Sequence, residues 1–145
     1  MPIPAVVSLV TLGVRDVAAA TRFYTALGFP LSSASVPDEV SFFRTAGGLL
    51  AVWRADALAA DAGVPPGGGG AFRGVSLAVN VASREEVDAA IATARDAGAR
   101  VLTAPRETDW GGYNGYFADP DGHAWEVAHN PFWPLGPDGM PQLPE

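Results

Sequence analysis

The stretch YFADPDGHAWEVAHN, residues 116–130, decides how the rest of the chain is interpreted. Two runs rich in aromatic and aliphatic residues flank the segment Asp-Pro-Asp-Gly. This arrangement is typical of a β-hairpin, because Pro120 presets φ at the second turn position and Gly122 tolerates a positive φ. Asp119 can accept hydrogen bonds from backbone N–H groups of the turn. The stretch therefore predicts two antiparallel strands joined by a tight turn.

The length of the loop determines which side chains share a face of this hairpin. A three-residue loop, residues 120–122, places Tyr116 opposite Glu126, whereas a four-residue loop places Gly115 there. Because successive side chains of a strand point to opposite faces, the three-residue loop gives one polar and one apolar face. The polar face then holds Asn114, Tyr116, Ala124, Glu126 and Ala128, and the apolar face holds Phe117, Trp125 and Val127. We expect the apolar face to pack against helices.

Composition and charge exclude several classes of protein. With 145 residues, of which 48% are hydrophobic, the chain suits one domain with a sizeable core. It has no cysteine, which excludes disulfides and thiolate metal sites. A net charge of −7 with scattered basic residues argues against nucleic acid as a partner. No apolar run approaches the ~20 residues of a membrane span, and the first residues form neither a basic n-region nor a long apolar h-region, so we expect a cytoplasmic protein without a membrane partner.

The first half of the chain begins with a predicted strand at residues 6–14 and a helix at residues 17–27. Apolar residues of the helix follow the i, i+3, i+4 spacing, Asp16 can cap its first turn, and Gly28 ends it. Further strands are predicted at residues 29–35, 40–45 and 49–54, followed by a short alanine-rich helix at residues 55–62.

The second half repeats this order. Residues 74–81 match residues 9–16, and both predict a strand. Ser83 then caps a second long helix, where Glu86 can close a capping box. The strands that follow are predicted at residues 99–103, 112–118 and 123–130.

The chain therefore repeats the order βαβββ within a single domain. Module 1 spans about residues 5–62 and module 2 about residues 72–131. The glycine- and proline-rich linker 63–71 can form neither helix nor sheet, and residues 132–145 are a tail. Each module alone is too small and too one-sided to bury its helix and sheet, so we expect the two to pack as a pseudo-twofold pair.

Three motifs resemble the vicinal oxygen chelate superfamily, which contains glyoxalase I, extradiol dioxygenases, fosfomycin-resistance enzymes and bleomycin-binding proteins. They are LGVRD at residues 12–16, RFYTALGF at residues 22–29 and DPDGHAWEV at residues 119–127. The resemblance implies an α+β fold in which two βαβββ modules form an open, curved eight-stranded mixed sheet. It also implies helices outside this sheet and a ligand cavity within it.

Enzymes of this superfamily hold a divalent metal with one ligand from the first and one from the last strand of each module. The resemblance places these ligands at Leu9, within residues 50–52, at Gly74 and at Glu126. Of these, only Glu126 has a side chain that can bind a metal. Because Zn²⁺, Fe²⁺ and Mn²⁺ sites require several protein ligands, we expect no catalytic metal and no other cofactor.

The candidate catalytic pair is Glu126 as base and Tyr116 as acid or oriented donor. Glu126 alternatively serves as an anchor for a ligand, or is a glutamate that only bonds Tyr116 or solvent. In the fosfomycin-resistance relatives the position that matches Tyr116 faces the substrate. The candidate ligand-binding residues are Trp53, Trp110, Tyr113, Asn114, Tyr116 and Glu126. For the tryptophans, packing in a core or a subunit interface is the alternative.

Three functions are consistent with these residues. The first is a metal-free protein that binds a small aromatic or cationic molecule in a concave cavity, resembling the bleomycin-binding branch. The second is a lyase, isomerase or dioxygenase of the superfamily that uses Glu126 as base or metal ligand. The third is a scaffold with a collapsed cavity. Residues 132–135 either cover the cavity or seal a dimer, and we expect a homodimer by analogy with relatives.

Overall fold

The computed structural model describes residues 1–67 and 71–145. The chain divides into two compact units, Met1–Gly67 and Gly68–Glu145. The first unit contains β1 (Leu9–Val14), α1 (Val17–Leu27), β2 (Val40–Thr45), β3 (Gly48–Arg54) and α2 (Ala55–Ala62). The second contains β4 (Ser76–Asn80), α3 (Arg84–Asp96), β5 (Arg100–Glu107), β6 (Tyr113–Ala118) and β7 (Ala124–His129). The predicted α+β class is confirmed. Residues 68–70 of the predicted linker lie outside the described residues.

The sheet of the first unit has three strands in the order β1-β3-β2. Strand β1 runs parallel to β3, and β2 runs antiparallel to it. Helix α1 begins where Asp16 Oδ1 accepts a hydrogen bond of 3.0 Å from the Ala19 backbone N–H. It ends at Gly28, which has a left-handed φ of 102°. The helix packs on the sheet through Tyr24, whose ring centroid lies 5.9 Å from that of Phe43. The predicted bounds and caps of this helix are confirmed.

The strand predicted at residues 29–35 is replaced by a single isolated bridge between Leu31 and Phe43. The described residues therefore form seven strands rather than the eight that were expected. Pro30 has no N–H to donate to a ladder. Ser35 Oγ accepts a hydrogen bond of 2.9 Å from the Phe42 backbone N–H, so a side chain takes the place of a backbone carbonyl. Such local side-chain bonds compete with regular strand pairing.

The sheet of the second unit has four strands in the order β4-β7-β6-β5. Helix α3 packs on β5, β6 and β7. The residues that α3 buries are Val87, Ile91 and Ala94. The apolar face predicted for the hairpin is also buried, and it consists of Phe117, Trp125 and Val127. The rings of Phe117 and Trp125 are stacked, with centroids 6.2 Å apart.

Helix α3 begins with the predicted Ser83 cap. Ser83 Oγ accepts a hydrogen bond of 3.1 Å from the Glu86 backbone N–H. The Glu86 carboxylate accepts in return from the Ala82 backbone N–H at 2.7 Å. This return bond falls one residue earlier than in a standard capping box, where it would reach Ser83 itself. The two bonds satisfy backbone donors that would otherwise be free at the helix start.

The hairpin between β6 and β7 has the predicted three-residue loop. Asp119 and His123 face each other, with the Asp119 backbone N–H donating to the His123 carbonyl at 3.0 Å. The buried Asp119 carboxylate accepts backbone hydrogen bonds from Asp121 at 3.0 Å and from His123 at 2.8 Å. Gly122 has a φ of 86°, which an L side chain rarely adopts. Tyr116 therefore pairs with Glu126, and the four-residue alternative is wrong.

Candidate ligand-binding face

Alternate residues of the four strands in the second unit build one continuous face, which we call the polar face. Strand pairing aligns them in rows: Tyr116 lies opposite Glu126, and Asn114 lies opposite Ala128. Residues that pair directly across strands project from the same side of a sheet. The polar face consists of Ser76, Ala78, Asn80, Arg100, Thr103, Arg106, Asn114, Tyr116, Ala118, Ala124, Glu126 and Ala128.

Glu126 lies on the inner strand β7, and three of its neighbours on the polar face are alanines. Ala124 and Ala128 flank it on its own strand, and Ala78 pairs with it on β4. Alanine methyl groups leave room above the sheet that larger side chains would fill. The half-buried Glu126 carboxylate therefore projects beside small neighbours.

Asn114 holds this carboxylate in place. Its side-chain amide donates a hydrogen bond of 2.7 Å from Nδ2 to Glu126 Oε2. Asn114 is only 6% exposed. Its Oδ1 atom is buried and has no hydrogen-bond partner among the described residues. The polar face thus contains one satisfied donor and one unsatisfied acceptor on the same amide.

Tyr116 stands beside the same carboxylate and is half-buried. Burial of the phenol is the largest cause that raises its pKa above the usual value, followed by the negative charge of Glu126 and a hydrogen bond to it. The charge of Arg106 acts in the opposite direction. Tyr116 is therefore a neutral donor near pH 7, which suits it to orient a ligand or to supply a proton.

Tyr113 lies on the opposite face of the sheet from Glu126, although it was predicted to contact the same ligand. Its hydroxyl donates a hydrogen bond of 2.7 Å to Asp88 on α3. The guanidinium of Arg84 lies 5.2 Å from the centroid of its ring. The bond to Asp88 is the main cause that raises the pKa of Tyr113. Tyr113 therefore joins the sheet to α3 and does not belong to the polar face.

The two predicted tryptophans lie apart from the polar cluster. Trp110 precedes β6 in a turn and is 45% exposed. Its ring lies over Gly112, where an added Cβ would come within 1.9 Å of it. Trp53 lies on β3 of the first unit, half-buried, where it pairs with Gly13 and Val40. Of the predicted site residues, the structure brings together Asn114, Tyr116 and Glu126.

The polar side chains of this face that sequence reasoning missed are Ser76, Asn80, Arg100, Thr103 and Arg106. Thr103 pairs with Tyr116, and Arg106 pairs with Asn114. Strand β5 continues to Glu107, beyond the predicted end at residue 103, and its register shifts twice. A shifted register hides the side on which a residue projects, so alternation alone could not have assigned Arg106. For Asn80, the match between residues 74–81 and 9–16 was the available signal.

The two histidines lie outside the polar face. His129 pairs with Tyr113, so it projects from the opposite side of the sheet. Its Nδ1 lies 3.2 Å from the Val81 carbonyl oxygen. Nδ1 of His123 lies 3.0 Å from the guanidinium of Arg73.

The residues at the metal-ligand positions of the superfamily do not fit a metal ion. Leu9 and Gly74 have no donor atom in their side chains, and residues 50–52 are Leu, Ala and Val. One oxygen of Glu126 already accepts a hydrogen bond from Asn114. Within residues 1–67 and 71–145, no three His, Asp or Glu side chains form a group that could hold a metal. A single carboxylate falls short of the three or four protein ligands that such sites use.

A model of the Glyoxalase/Bleomycin resistance protein/Dioxygenase superfamily matches residues 6–127. The chain belongs to this superfamily, and the resemblance carried by the three motifs is confirmed. Among curated proteins, none matches the chain. None of the helices in the described part of the chain has the length and apolar character needed to cross a membrane.

Several solved structures of similar proteins match most of this chain. A glyoxalase-related enzyme from Fulvimarina pelagi is 35% identical with a TM-score of 0.85, and the match covers 97% of this chain and 99% of that one. A glyoxalase/bleomycin resistance protein/dioxygenase from Nocardioides is 30% identical with a TM-score of 0.73, covering 89% and 85%. Lactoylglutathione lyase from Agrobacterium tumefaciens is 23% identical with a TM-score of 0.68, covering 91% and 98%. At this last identity the likeness shows the fold alone.

Proposed function

We propose that this protein binds a small cationic molecule that carries an aromatic ring, without a bound metal, and that Glu126 is the main anchor. The observation that carries this proposal is the half-buried Glu126 carboxylate, which is held by Asn114 at 2.7 Å in the middle of an alanine-lined face. Asn114 and Tyr116 are neutral donors, so they supply no opposite charge, and a half-buried charge is costly without one. A cationic group of a guest would supply that opposite charge.

The charge of the chain supports a cationic guest. A net charge of −7 attracts cations over a distance and speeds their association at low salt. The Tyr116 ring, half-buried on the same face, offers an aromatic surface beside the carboxylate. Donor chemistry supports a metal-free site, because only Glu126 among the family's ligand positions can coordinate an ion.

A second candidate function is an enzyme in which Glu126 removes a proton from the substrate. The observation that favours this function is that two possible donors lie on the same face as Glu126. Tyr116 stays neutral near pH 7, and the charge of Arg106 acts on Tyr116. These two groups could donate to a negative oxygen that develops on the substrate. Turnover of a carbonyl substrate that is lost in Glu126→Gln would favour this function over binding alone.

The test of the proposed function is a thermal-shift screen with cationic, neutral and anionic aromatic compounds. A true guest raises the melting temperature in proportion to its concentration and affinity. We expect cations to be the hits. Glu126→Gln should weaken binding by about 1.5–3 kcal/mol, because a charge-assisted hydrogen bond is lost, and Tyr116→Phe by about 1 kcal/mol.

The matched control is Trp125→Phe, on the apolar face of the same hairpin. It should lower the melting temperature of the free protein and leave the affinity of the folded fraction unchanged. The proposed function is wrong if Trp125→Phe abolishes binding while Glu126→Gln leaves it intact in equally folded proteins.

A further inference from the structure

The Asn114 side chain is fixed in one orientation by its neighbour. Nδ2 must point to Glu126, because only the NH₂ end of the amide can donate to a carboxylate. Oδ1 is then left as an acceptor, and exchanging the two ends of the amide would place two oxygens against each other. The orphaned acceptor is therefore a fixed feature of the pair and does not depend on how the amide is assigned.

An acceptor buried without a partner is rare in folded proteins and destabilises them. Asn114 is 6% exposed, and none of the described residues donates to its Oδ1. A ligand that donates a hydrogen bond there would remove this cost when it binds. The same ligand would lie next to the Glu126 carboxylate, because the other end of the Asn114 amide donates to that carboxylate.

We propose that Asn114 Oδ1 and the Glu126 carboxylate form a paired acceptor site for an amidinium or guanidinium group of the guest. This inference rests on the proposed function and narrows it from cations in general to cations with at least two N–H donors. Planar groups of this kind carry a positive charge and present N–H donors side by side. A quaternary ammonium has the charge and no donor, so it would leave Oδ1 unsatisfied.

Arg106 carries such a group but does not fill the site. It pairs with Asn114 across β5 and β6, and its side chain is exposed. None of its N–H groups donates to Oδ1. Its positive charge opposes the guest, although an exposed charge is strongly screened at physiological salt. Replacing it with glutamine should therefore strengthen the binding of any cation at this site by a small factor.

The experiment compares two probes by isothermal titration calorimetry: benzamidine, which has four N–H donors, and benzyltrimethylammonium, which has none. Both carry one ring and one positive charge. Wild-type protein should bind benzamidine at least about tenfold more tightly, because only benzamidine can donate hydrogen bonds to Oδ1 and to the Glu126 carboxylate. Asn114→Leu should reduce this preference to the part that comes from the bond to Glu126, and leave a measurable affinity for both cations; a preference of unchanged size in Asn114→Leu overturns the inference. Glu126→Gln should weaken both.

Circular dichroism and thermal unfolding establish that each variant is folded, and Asn114→Ala replaces Asn114→Leu if the larger side chain disturbs the sheet. A crystal structure of the wild-type complex should place an amidinium nitrogen about 3 Å from Oδ1. Equal affinities for the two probes overturn the inference, as does a water molecule on Oδ1 with the amidinium elsewhere, or no benzamidine binding at millimolar concentrations.

The outcomes also separate this inference from the proposed function. If both probes bind equally and Glu126→Gln weakens both, the paired acceptor site is wrong and the cation-binding function stands. If Glu126→Gln changes neither affinity, the proposed function itself is wrong.

Discussion

Glu126 is the residue on which two neighbours converge. Asn114 donates to one of its oxygens, and Tyr116 interacts with the same carboxylate. Asn114 and Glu126 are diagonal neighbours, since Glu126 lies directly opposite Tyr116. The two neighbours restrict the rotamers of the carboxylate before any ligand binds, which lowers the entropy that binding would cost.

The titration of Tyr116 provides a test at this scale. Burial and the Glu126 charge raise its pKa, so the neutral phenol contributes stability that is fully present below the ordinary value of about 10. This contribution is lost as the pH rises through the raised pKa. In Glu126→Gln, we expect the pKa of Tyr116 to fall towards its ordinary value while burial keeps it somewhat raised. The ¹³C shift of the Tyr116 ring carbon that bears the hydroxyl measures it.

Tyr116→Phe identifies which ¹³C signal belongs to Tyr116. This control is needed because the pKa of Tyr113 is also raised, mainly by its bond to Asp88. The Tyr113 titration should stay unchanged in Glu126→Gln. An unchanged Tyr116 pKa in that variant would contradict the contact between the two side chains.

At the scale of elements, the hairpin between β6 and β7 positions the site, and Asp119 fixes its turn. The buried carboxylate accepts two backbone hydrogen bonds, of 3.0 and 2.8 Å. Asp119→Ala leaves both backbone donors without this partner, and we expect it to lower the free energy of unfolding by about 1–3 kcal/mol. Urea unfolding measures the change. Asp119→Asn keeps an acceptor oxygen in place and should lose clearly less stability; equal losses in the two variants would refute this account of the turn.

The register of this hairpin could be predicted from sequence because the information is local. Pro120 and Gly122 define the loop, and alternation then places Tyr116 and Glu126 on one face. The strand predicted at residues 29–35 depended on its β-forming residues, but Pro30 has no N–H to donate and the Ser35 side chain competes with the ladder there. Propensity cannot decide such a competition.

The part of the site that could not be predicted from the sequence has a similar cause. Arg106 follows Pro105 in a strand whose register shifts on either side of Thr103, so its face depends on how β5 pairs with β6. The orphaned Oδ1 of Asn114 also depends on a contact across strands, with Glu126. Sequence reasoning placed Asn114 on the right face but could not show which of its atoms lacks a partner.

At the scale of the whole molecule, three of the four positions that hold metal ligands in the superfamily have no donor side chain in this sequence. Leu9 lies in the first unit and Gly74 in the second, and neither side chain can coordinate an ion. We expect the purified protein to contain far less than one equivalent of zinc, iron, manganese or nickel, as measured by elemental analysis. Glu126→Ala should not change the content. One equivalent that disappears in Glu126→Ala would refute the metal-free proposal.

The tail leads to a prediction about assembly. Phe132 is 66% exposed, and its ring lies over Gly111 with one atom 3.1 Å from where a Cβ would stand. The adjacent Trp133 is also exposed. Burying an aliphatic or aromatic side chain of this size is worth about 1.5–3 kcal/mol, which favours covering the pair in a second copy of the chain. We expect light scattering at micromolar concentration to give twice the chain mass of 15.0 kDa.

The double variant Phe132→Ser with Trp133→Ser should shift this dimer towards the monomer, because it removes the apolar surface while leaving the sheet intact. Val64→Ser is the matched control, since Val64 is an exposed apolar residue outside the tail. A wild-type mass of one chain would favour the alternative in which the tail covers its own protein. In that case the double variant should lower the melting temperature without changing the mass, because the aromatic side chains would then be part of the monomer's own packing.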